Sequence, residues 1–397
     1  MTTAPPFLPY GRQWIDAQDE AAVLEALRSP LIAHGPRIEA FEAAFAETVG
    51  AKQAVACSSG TAALHLSLAT LDPRPGDVAI IPAVTFLATA TAAVMAGFSP
   101  RFCDVDPDSG LITPDTLSQA LEGPEQIRVA LPVHLGGAIC DMDGLRAVAK
   151  AHDFDLIEDG CHAIGGSDAG GRKVGSADLS LATTFSLHPV KTLTSGEGGV
   201  ATLNDPQRAE RMRRLRNHGV TRDPALMTSP HAFSRDGAVN PWAYEQLELG
   251  FNYRMNELEA ALGLSQLRKL PAFAARRRAL CLAYDLALMP FAPRIRPAAS
   301  PPGQTLCRHL YQVLIDFRTL DIDRADAMRR LQSLGVGTQV HYIPLYRQPY
   351  FQKRQGDVRM PGAEAWYERV LALPLFPQMA DDDVPRVVDA LVKCLSL

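Results

Sequence analysis

The sequence has no long uncharged apolar run, no long basic run and no paired-cysteine motif, and each absence narrows what the protein can be. No segment approaches the ~18 consecutive apolar residues of a membrane-spanning helix, so we expect no membrane partner. The longest basic run is the short stretch 276–278, and the net charge is −5 at pH 7. This balance argues against nucleic acid as a partner.

The seven cysteines are scattered, without the Cys-X-X-Cys or Cys/His spacing of metal sites. We therefore expect unpaired thiols in a reducing compartment and no bound metal. The first residues, Met-Thr-Thr-Ala-Pro-Pro, lack the basic start and apolar run of a signal peptide. Together these features predict a cytoplasmic protein.

A chain of 397 residues is longer than a single hydrophobic core usually accommodates, so we expect two domains. In the first half, short apolar strands alternate with helical patterns, which is typical of a mostly parallel sheet covered by helices on both faces. After residue 258 a long helical pattern, interrupted at Pro271, leads into a mixed arrangement of strands and helices. We predict a large α/β domain over 1–257 and a smaller α+β domain over 258–397.

Lys191 follows an apolar and β-branched stretch, 179–187, which predicts a buried strand that ends at the following His-Pro pair. A lysine just past a buried strand end is poorly solvated, which lowers the pKa of its amine and favours the neutral nucleophile. Such an amine can form a Schiff base with an aldehyde cofactor. The alternative is a surface lysine whose ammonium reaches water. Lys173, on a Gly-rich turn, is the weaker candidate.

Two strand-to-helix junctions offer groups that a phosphate or a planar ring needs. The amides of Gly60, Thr61 and Ala62 open a helix, where backbone N–H groups and a hydroxyl can bind an anion. A Ser or Thr before a helix is ordinarily only an N-cap. Phe86, at the next junction, could stack on a ring, although a core role is commoner for Phe.

Asp159 ends a predicted strand over 155–159 and is followed by Gly-Cys-His162. The carboxyl ends of the strands form the ligand crevice of an α/β sheet. A carboxylate there could pair with a protonated ring nitrogen; the alternative is an N-cap for the next turn. Cys161 is interpreted as a packing residue.

At successive strand ends of one sheet, these features match the requirements of pyridoxal 5'-phosphate (PLP). The lysine holds the aldehyde, and the aspartate keeps the pyridine nitrogen protonated so that the ring accepts carbanion charge. An aromatic side chain covers one ring face, and backbone N–H groups with hydroxyls hold the phosphate.

Seven longer segments carry a family resemblance. They are SGTAALHL (59–66), PAVTFLATA (82–90), PVHLGG (132–137), IEDGCHA (157–163), FSLHPVKTLTSGEGG (185–199), RNHG (216–219) and GFNYRMNELEAALG (250–263). Through them nearly the whole chain resembles the DegT/DnrJ/EryC1/StrS sugar aminotransferases. The resemblance implies aspartate-aminotransferase fold type I, with a mostly parallel seven-stranded sheet in the large domain.

By this resemblance Lys191 is the Schiff-base lysine and then the proton shuttle, Asp159 pairs with the pyridine nitrogen, and Phe86 stacks on the ring. His162 stands where many members carry Gln near the phenolic oxygen of the cofactor, and an imidazole can still donate a hydrogen bond there. The retained Lys191 argues against the dehydratase branch of the family, in which histidine replaces this lysine.

The phosphate is expected to be held by Thr61, Ala62 and Ser186. Asn252 is expected to reach the phosphate of the neighbouring subunit, which implies a homodimer with shared active sites.

A narrower resemblance is to the branch of the family that acts in pseudaminic acid synthesis. It is carried by PYGRQ (9–13), SLHPVK (186–191), LGLSQL (262–267), HLY (309–311) and QVHYIPLY (339–346). It implies that L-glutamate aminates C4 of a UDP-linked 4-keto-6-deoxy-N-acetyl amino sugar by double displacement. It predicts four substrate-binding residues: His188, Tyr311, His341 and Tyr342. The last three could equally be core aromatic or strand-capping residues.

Three alternatives stay open. The protein could be a GDP-perosamine-type or other nucleotide-4-keto-hexose aminotransferase, a PLP-binding sensor without turnover, or a doubly wound domain with none of this chemistry.

Overall fold

The computed structural model describes residues 6–356 and 358–397. Its main sheet has seven strands: β1 (Gln53–Cys57), β2 (Val78–Pro82), β3 (Ser99–Cys103), β4 (Ile127–Ala130), β5 (Asp155–Asp159), β6 (Ala182–Ser186) and β7 (Gly199–Leu203). Their order is β1-β7-β6-β5-β4-β2-β3. Only β7 runs antiparallel to its neighbours in this sheet. The predicted α/β class with a mostly parallel seven-stranded sheet is confirmed.

The remaining strands form two smaller sheets. The strands β8 (Val220–Thr221) and β9 (Glu245–Gln246) form an antiparallel pair. The strands β10 (Ile295–Pro297), β11 (Tyr311–Ile315) and β12 (Val370–Leu373) form an antiparallel three-stranded sheet.

The described ranges contain twelve α-helices: α1 (Ala17–Leu27), α2 (Pro36–Val49), α3 (Gly60–Ala69), α4 (Leu87–Ala96), α5 (Pro114–Gln119), α6 (Met142–Ala151), α7 (Pro206–Leu215), α8 (Glu257–Leu288), α9 (Arg324–Ser333), α10 (Pro349–Gln355), α11 (Pro361–Arg369) and α12 (Asp383–Leu395). Their ends follow local chemistry. The side chain of Asp16 accepts the first amides of α1 and completes a capping box with Asp19. Gly50, in the left-handed conformation, ends α2.

The strand β2 reads as a continuous apolar run, as is usual where helices cover a parallel sheet on both faces. Every residue of β2 and β7 is buried. A second core gathers around β11, β12 and α12, and Leu8 from the start of the chain packs into it. The proposed domain boundary, between residues 257 and 258, falls at the start of α8.

The helix α8 is a single helix of 32 residues that continues through Pro271, where the sequence predicts two segments. Proline removes one intrahelical hydrogen bond and ordinarily costs about 3 kcal/mol in a helix interior. Here Pro271 lies on the exposed side of the helix. Packing of α8 against α1, α2 and α12 offsets the lost bond.

The sequence also predicts a strand over 337–342 in the smaller domain, and this prediction is wrong. This segment makes one isolated bridge, in which Gln339 exchanges backbone hydrogen bonds of 3.2 and 2.8 Å with Ala372. The segment instead turns toward the cavity described below, and four of its residues, 339–342, line that cavity.

Across residues 6–356 and 358–397, the helices are all too short or too polar to cross a membrane. The same ranges contain no group of three or more His, Cys, Asp or Glu residues able to hold a metal ion. All seven cysteines are free thiols.

Candidate active site

A cavity of about 770 Å³ opens at the carboxyl ends of the parallel strands. Its volume is within the range of small-molecule sites. Most of the residues predicted for the site line it: Gly60, Thr61, Phe86, Asp159, His162, Ser186, His188, Lys191, His341 and Tyr342. Because parallel strands end at one edge of a sheet, residues far apart in sequence meet there.

Lys191 lies in the loop that joins β6 to β7. Its N–H donates to the carbonyl of His188 at 2.8 Å, and the Thr194 hydroxyl donates to the carbonyl of Leu187 at 2.8 Å. The side chain is half-buried. Burial lowers the pKa of the Lys191 amine, and the opposing effects of Cys161 and Asp159 are smaller. The loop thus presents an amine that loses its proton more readily than that of a solvent-exposed lysine.

Asp159 ends β5 and is 6% exposed. Its Oδ2 accepts a hydrogen bond from the Thr89 hydroxyl at 2.8 Å, and its Oδ1 accepts one from the Cys161 amide at 3.2 Å. The hydroxyls of Thr85 and Thr89 lie 2.9 Å apart. This network holds the carboxylate in one orientation. Sequence reasoning missed Thr89; the available signal was two threonines four residues apart at the start of an apolar helix.

His162 is buried against the cavity wall. Its Nδ1 accepts a hydrogen bond from the Gly136 amide at 3.2 Å. A ring nitrogen that accepts carries no hydrogen, so this network assigns the hydrogen of neutral His162 to Nε2. Nε2 lies 3.4 Å from the hydroxyl of Tyr342. His162 is therefore arranged as a donor on the cavity side.

The first turn of α3 forms an anion-binding cradle. Ser59 caps the helix by accepting the Ala62 amide at 3.1 Å. The amides of Gly60 and Thr61 have no acceptor in the described part of the chain. A Cβ on Gly60 would lie 2.7 Å from the Cβ of Ser186, so the helix start and the end of β6 are in close contact. The free donors are thus those of Gly60 and Thr61; the predicted Ala62 donor is already used by the cap.

Phe86 precedes α4 and is 54% exposed, although it is a large apolar side chain. Its ring centre lies 5.9 Å from that of Tyr342. One face of the ring is therefore open toward the cavity and available to a planar group.

Two predicted site residues lie elsewhere. Tyr311 is on β11, where its ring stacks on Tyr284 at 4.4 Å and its hydroxyl donates to Asp285 at 2.6 Å. Tyr311 is therefore a core aromatic residue, which is the alternative that the sequence left open. We no longer expect Tyr311 to contact substrate. The exposed Asn252 makes an isolated bridge with Asn217 outside the cavity lining.

Two ring-bearing residues of the cavity were missed. Tyr10 packs against His341, with ring centres 5.6 Å apart, and His309 packs against His162 at 4.8 Å. Both line the cavity. The only sequence signal was that each belongs to a segment of the narrower resemblance.

Three of the buried histidines, those that line the cavity, predict a loss of stability in acid. Burial first, and the charge of Lys191 second, lower the pKa of His162 and His309, and that of His341 to about 3. Below pH ~6.5 these histidines are protonated in the unfolded chain but stay neutral in the folded chain. The free energy of unfolding therefore falls as the pH falls. Urea unfolding at pH 7.5 and 5 measures this. His309→Gln should flatten the dependence by up to about 1.4 kcal/mol per pH unit.

The control for this experiment is His152→Gln, which removes an exposed histidine. An equal pH dependence in wild type and His309→Gln would contradict the prediction.

A mostly parallel seven-stranded sheet, with a buried aspartate and a loop lysine at one edge, defines an aminotransferase fold of type I. The chain belongs to the DegT/DnrJ/EryC1/StrS aminotransferase family, whose profile matches residues 13–392. This confirms the resemblance inferred from the motifs.

Known proteins similar to this chain include one curated relative and several solved structures. The spore coat polysaccharide biosynthesis protein SpsC of Bacillus subtilis is 36% identical over 387 residues, covering 97% of this chain and 96% of that protein. Helicobacter pylori PseC, an aminotransferase involved in the biosynthesis of pseudoaminic acid, superposes with a TM-score of 0.88 at 27% identity, covering 98% and 99% of the two chains. The PLP form of Spr1654 from Streptococcus pneumoniae, a putative sugar aminotransferase, gives 0.87 at 27% identity with the same coverage.

Proposed function

We propose that this aminotransferase binds PLP in the cavity and transfers an amino group from L-glutamate to C4 of a UDP-linked 4-keto-6-deoxy-N-acetyl amino sugar. The observation that carries the proposal is that Lys191 and Asp159 line one cavity together with the free amides at the start of α3. The solved PLP form of Spr1654 supports the cofactor. The fold similarity to PseC supports the sugar class.

The residues present fit PLP. The amides of Gly60 and Thr61 and the Ser186 hydroxyl form a cradle for a phosphate at a helix N-terminus. Asp159 offers a buried carboxylate to a protonated ring nitrogen, and the open face of Phe86 offers a stacking surface. Lys191 would hold the aldehyde carbon.

When bound, PLP supplies an electron sink for the carbanion formed at the α-carbon of an amino acid. The chain supplies the proton chemistry around it. With PLP bound, Lys191 Nζ in its neutral form would accept the proton from the α-carbon of glutamate and would hold it for return. Asp159 would favour a protonated ring nitrogen by charge pairing, and His162 Nε2 would offer a hydrogen bond to the phenolic oxygen. His188, His341 and Tyr342 are the residues we propose to bind the sugar nucleotide.

We further propose a homodimer with shared active sites. Asn252 is exposed and outside the lining of its own cavity, as a residue that contributes to a neighbouring subunit would be. Leu27, Leu31 and Ile32 are each more than half exposed on the same chain, and exposed apolar side chains favour a protein partner. Sedimentation of the full chain measures the oligomeric state, and a monomer at micromolar concentration would contradict this proposal.

A cytoplasmic location stays a prediction from the sequence.

Gly199→Ala is predicted to weaken PLP binding at least about tenfold. A Cβ on Gly199 would overlap the Ser59 carbonyl and lie 2.8 Å from the Gly60 amide nitrogen. The start of α3 must therefore shift, and the loss of one charge-assisted hydrogen bond costs about 1.5–3 kcal/mol. Spectrophotometric titration of the PLP-free protein measures the Kd.

The matched control is Gly170→Ala, whose Cβ would meet only the Asp168 carboxylate, at 3.3 Å and far from the start of α3. Equal Kd values for the two variants would show that the cradle does not depend on this contact.

The function is tested by incubating the protein with PLP, L-glutamate and a panel of UDP- and GDP-linked 4-keto sugars. The expected products are 2-oxoglutarate and the 4-amino sugar of a UDP substrate. Amination of only a GDP-linked sugar would support the perosamine-type alternative. A spectral response to glutamate with no aminated product from any keto-sugar would remove the sugar assignment.

A further inference from the structure

A buried polar pair, His134 and Glu158, lies behind the cavity and has no part in the proposed chemistry. Glu158 precedes Asp159 on β5, and successive side chains of a strand point to opposite faces. While Asp159 lines the cavity, Glu158 points away from it. His134 is fully buried and Glu158 is 6% exposed. Burying a charged side chain this deeply costs desolvation free energy, which its hydrogen-bond partners must offset.

The Glu158 carboxylate is fully hydrogen-bonded. Oε1 accepts from the hydroxyls of Ser180 at 2.5 Å and Thr183 at 3.1 Å, and Oε2 lies 2.8 Å from His134 Nε2. Burial raises the pKa of Glu158, but the hydrogen bonds from His134 and the two hydroxyls lower it overall. Glu158 is therefore an ionised acceptor that holds the His134 ring.

The other ring nitrogen of His134 organises the following loop. The Cys140 amide donates to Nδ1 at 3.2 Å. Burial lowers the pKa of His134, and the neighbouring Cys140 and Glu158 raise it overall. A second ring hydrogen, on Nδ1, would nevertheless meet the amide hydrogen of Cys140. We therefore assign the ring hydrogen to Nε2, facing Glu158.

The backbone at His134 is tied to the catalytic strand. The His134 N–H donates to the Asp159 carbonyl at 3.1 Å, and the Asp159 N–H donates to the Pro132 carbonyl at 2.9 Å. The end of β4 and the end of β5 therefore move as one unit.

The segment 134–137 connects His134 to the residues of the cavity wall. Gly136 donates its N–H to His162 Nδ1 at 3.2 Å, and its carbonyl accepts the N–H of His309 at 3.0 Å. Gly137, at φ 101°, passes so close that a Cβ would lie 2.7 Å from the Cα of Arg308. The close contact with residues 307–308 holds one side of the segment and His134 holds its start, so the hydrogen bond that Gly136 delivers to His162 depends on where His134 is held.

We propose that Glu158 is a positioning residue which, through His134 and the 134–137 segment, sets the orientation and tautomer of His162. The consequence for catalysis rests on the proposed function, because it requires His162 to face bound PLP. The positioning itself is a property of the protein alone. Loss of an outer-shell partner of a metal-bound histidine typically lowers affinity or activity about 10- to 100-fold, and we expect an effect of the same order for a histidine that faces a cofactor.

The test compares three variants. Glu158→Leu removes the acceptor and leaves His134 Nε2–H unpaired. Glu158→Gln is the rescue variant: its amide oxygen still accepts from His134, and its NH₂ donates to the two hydroxyls. Glu257→Leu is the matched control, because Glu257 is a fully buried carboxylate that accepts the amides of Gly35 and Arg37 outside the cavity.

The first readout is the crystal structure of each PLP-free protein. We expect the distance from Gly136 N to His162 Nδ1 to exceed 3.5 Å in Glu158→Leu, whereas Glu158→Gln and Glu257→Leu keep about 3.2 Å. The second readout is the pH dependence of the visible spectrum of each PLP-loaded protein and of its reaction with glutamate alone. We expect Glu158→Leu to shift the pH profile and lower the rate at least about tenfold, and Glu158→Gln to restore both.

An unchanged His162 geometry in Glu158→Leu, or a pH profile equal to that of Glu257→Leu, overturns the proposal. If Glu158→Leu does not fold, His134→Asn breaks the same contact, since the shorter amide can accept from Cys140 but does not reach Glu158. If the wild type binds no PLP, the proposed function fails, while the PLP-free structures still decide the positioning role.

Discussion

Lys191→Ala is expected to lower turnover by about 10³-fold or more while the protein still folds. A positioned proton-transfer group contributes about 10²–10⁴-fold, and this amine is also the proposed nucleophile. The side chain is half-buried in a loop whose hydrogen bonds survive the substitution, since the Lys191 N–H donates to the His188 carbonyl and the Thr194 hydroxyl donates to the Leu187 carbonyl. Rates of 2-oxoglutarate formation with PLP, saturating glutamate and the 4-keto sugar nucleotide as amino acceptor measure the loss.

The matched control is Lys173→Ala. Lys173 is exposed, and its amine donates to the Thr48 carbonyl at 2.8 Å. We expect this variant to keep wild-type turnover. More than a tenth of wild-type activity in Lys191→Ala would remove the lysine from the mechanism and would favour Lys173 or an outside base.

Asp159→Asn is expected to slow the reaction with glutamate by about 10²–10³-fold, the size of effect seen when one group that stabilises transition-state charge is lost. The amide keeps the size of the carboxylate and one acceptor for the Thr89 hydroxyl, now 2.8 Å away. It lacks the negative charge that keeps a ring nitrogen protonated. The carbanion formed by Lys191 then has a weaker electron sink.

The measurement is the single-turnover rate of the PLP-loaded variant with glutamate, followed in the visible spectrum. Asp155→Asn, at the opposite end of β5, serves as the control. Slowing of less than about threefold in Asp159→Asn would mean that the ring nitrogen is held by another group. A variant that no longer binds PLP would indicate a structural role for the carboxylate.

The strand ends were predictable because their signals are local. An apolar β-branched stretch that runs into His188-Pro189 predicts a strand followed by a loop, and β6 indeed ends at Ser186 with Lys191 in that loop. The same holds for β5, which ends at Asp159. Once each strand is placed, the parallel topology brings these ends to one edge.

Other features were decided by packing at long range. Proline ordinarily interrupts a helix, yet contacts from three other helices carry α8 through Pro271. Tyr311 and His341 belong to similar aromatic motifs, but Tyr311 stacks inside the second core while His341 lines the cavity. A motif cannot distinguish these outcomes, since the burial of a side chain depends on which elements cover it.

By itself, the sequence determined the alternation of strands and helices, the caps at their ends, the family, and the residues at the strand ends where chemistry is expected. These depend on periodicity, on backbone preferences and on side chains close in the chain. The tertiary structure alone decided that Thr89 orients Asp159 and that Gly136 sets the donor of His162. It also decided that Glu158 holds His134 from the far side of the strand. The physical reason is that a hydrogen bond between residues distant in the chain depends on distances of a few tenths of an ångström, which only the packed fold specifies.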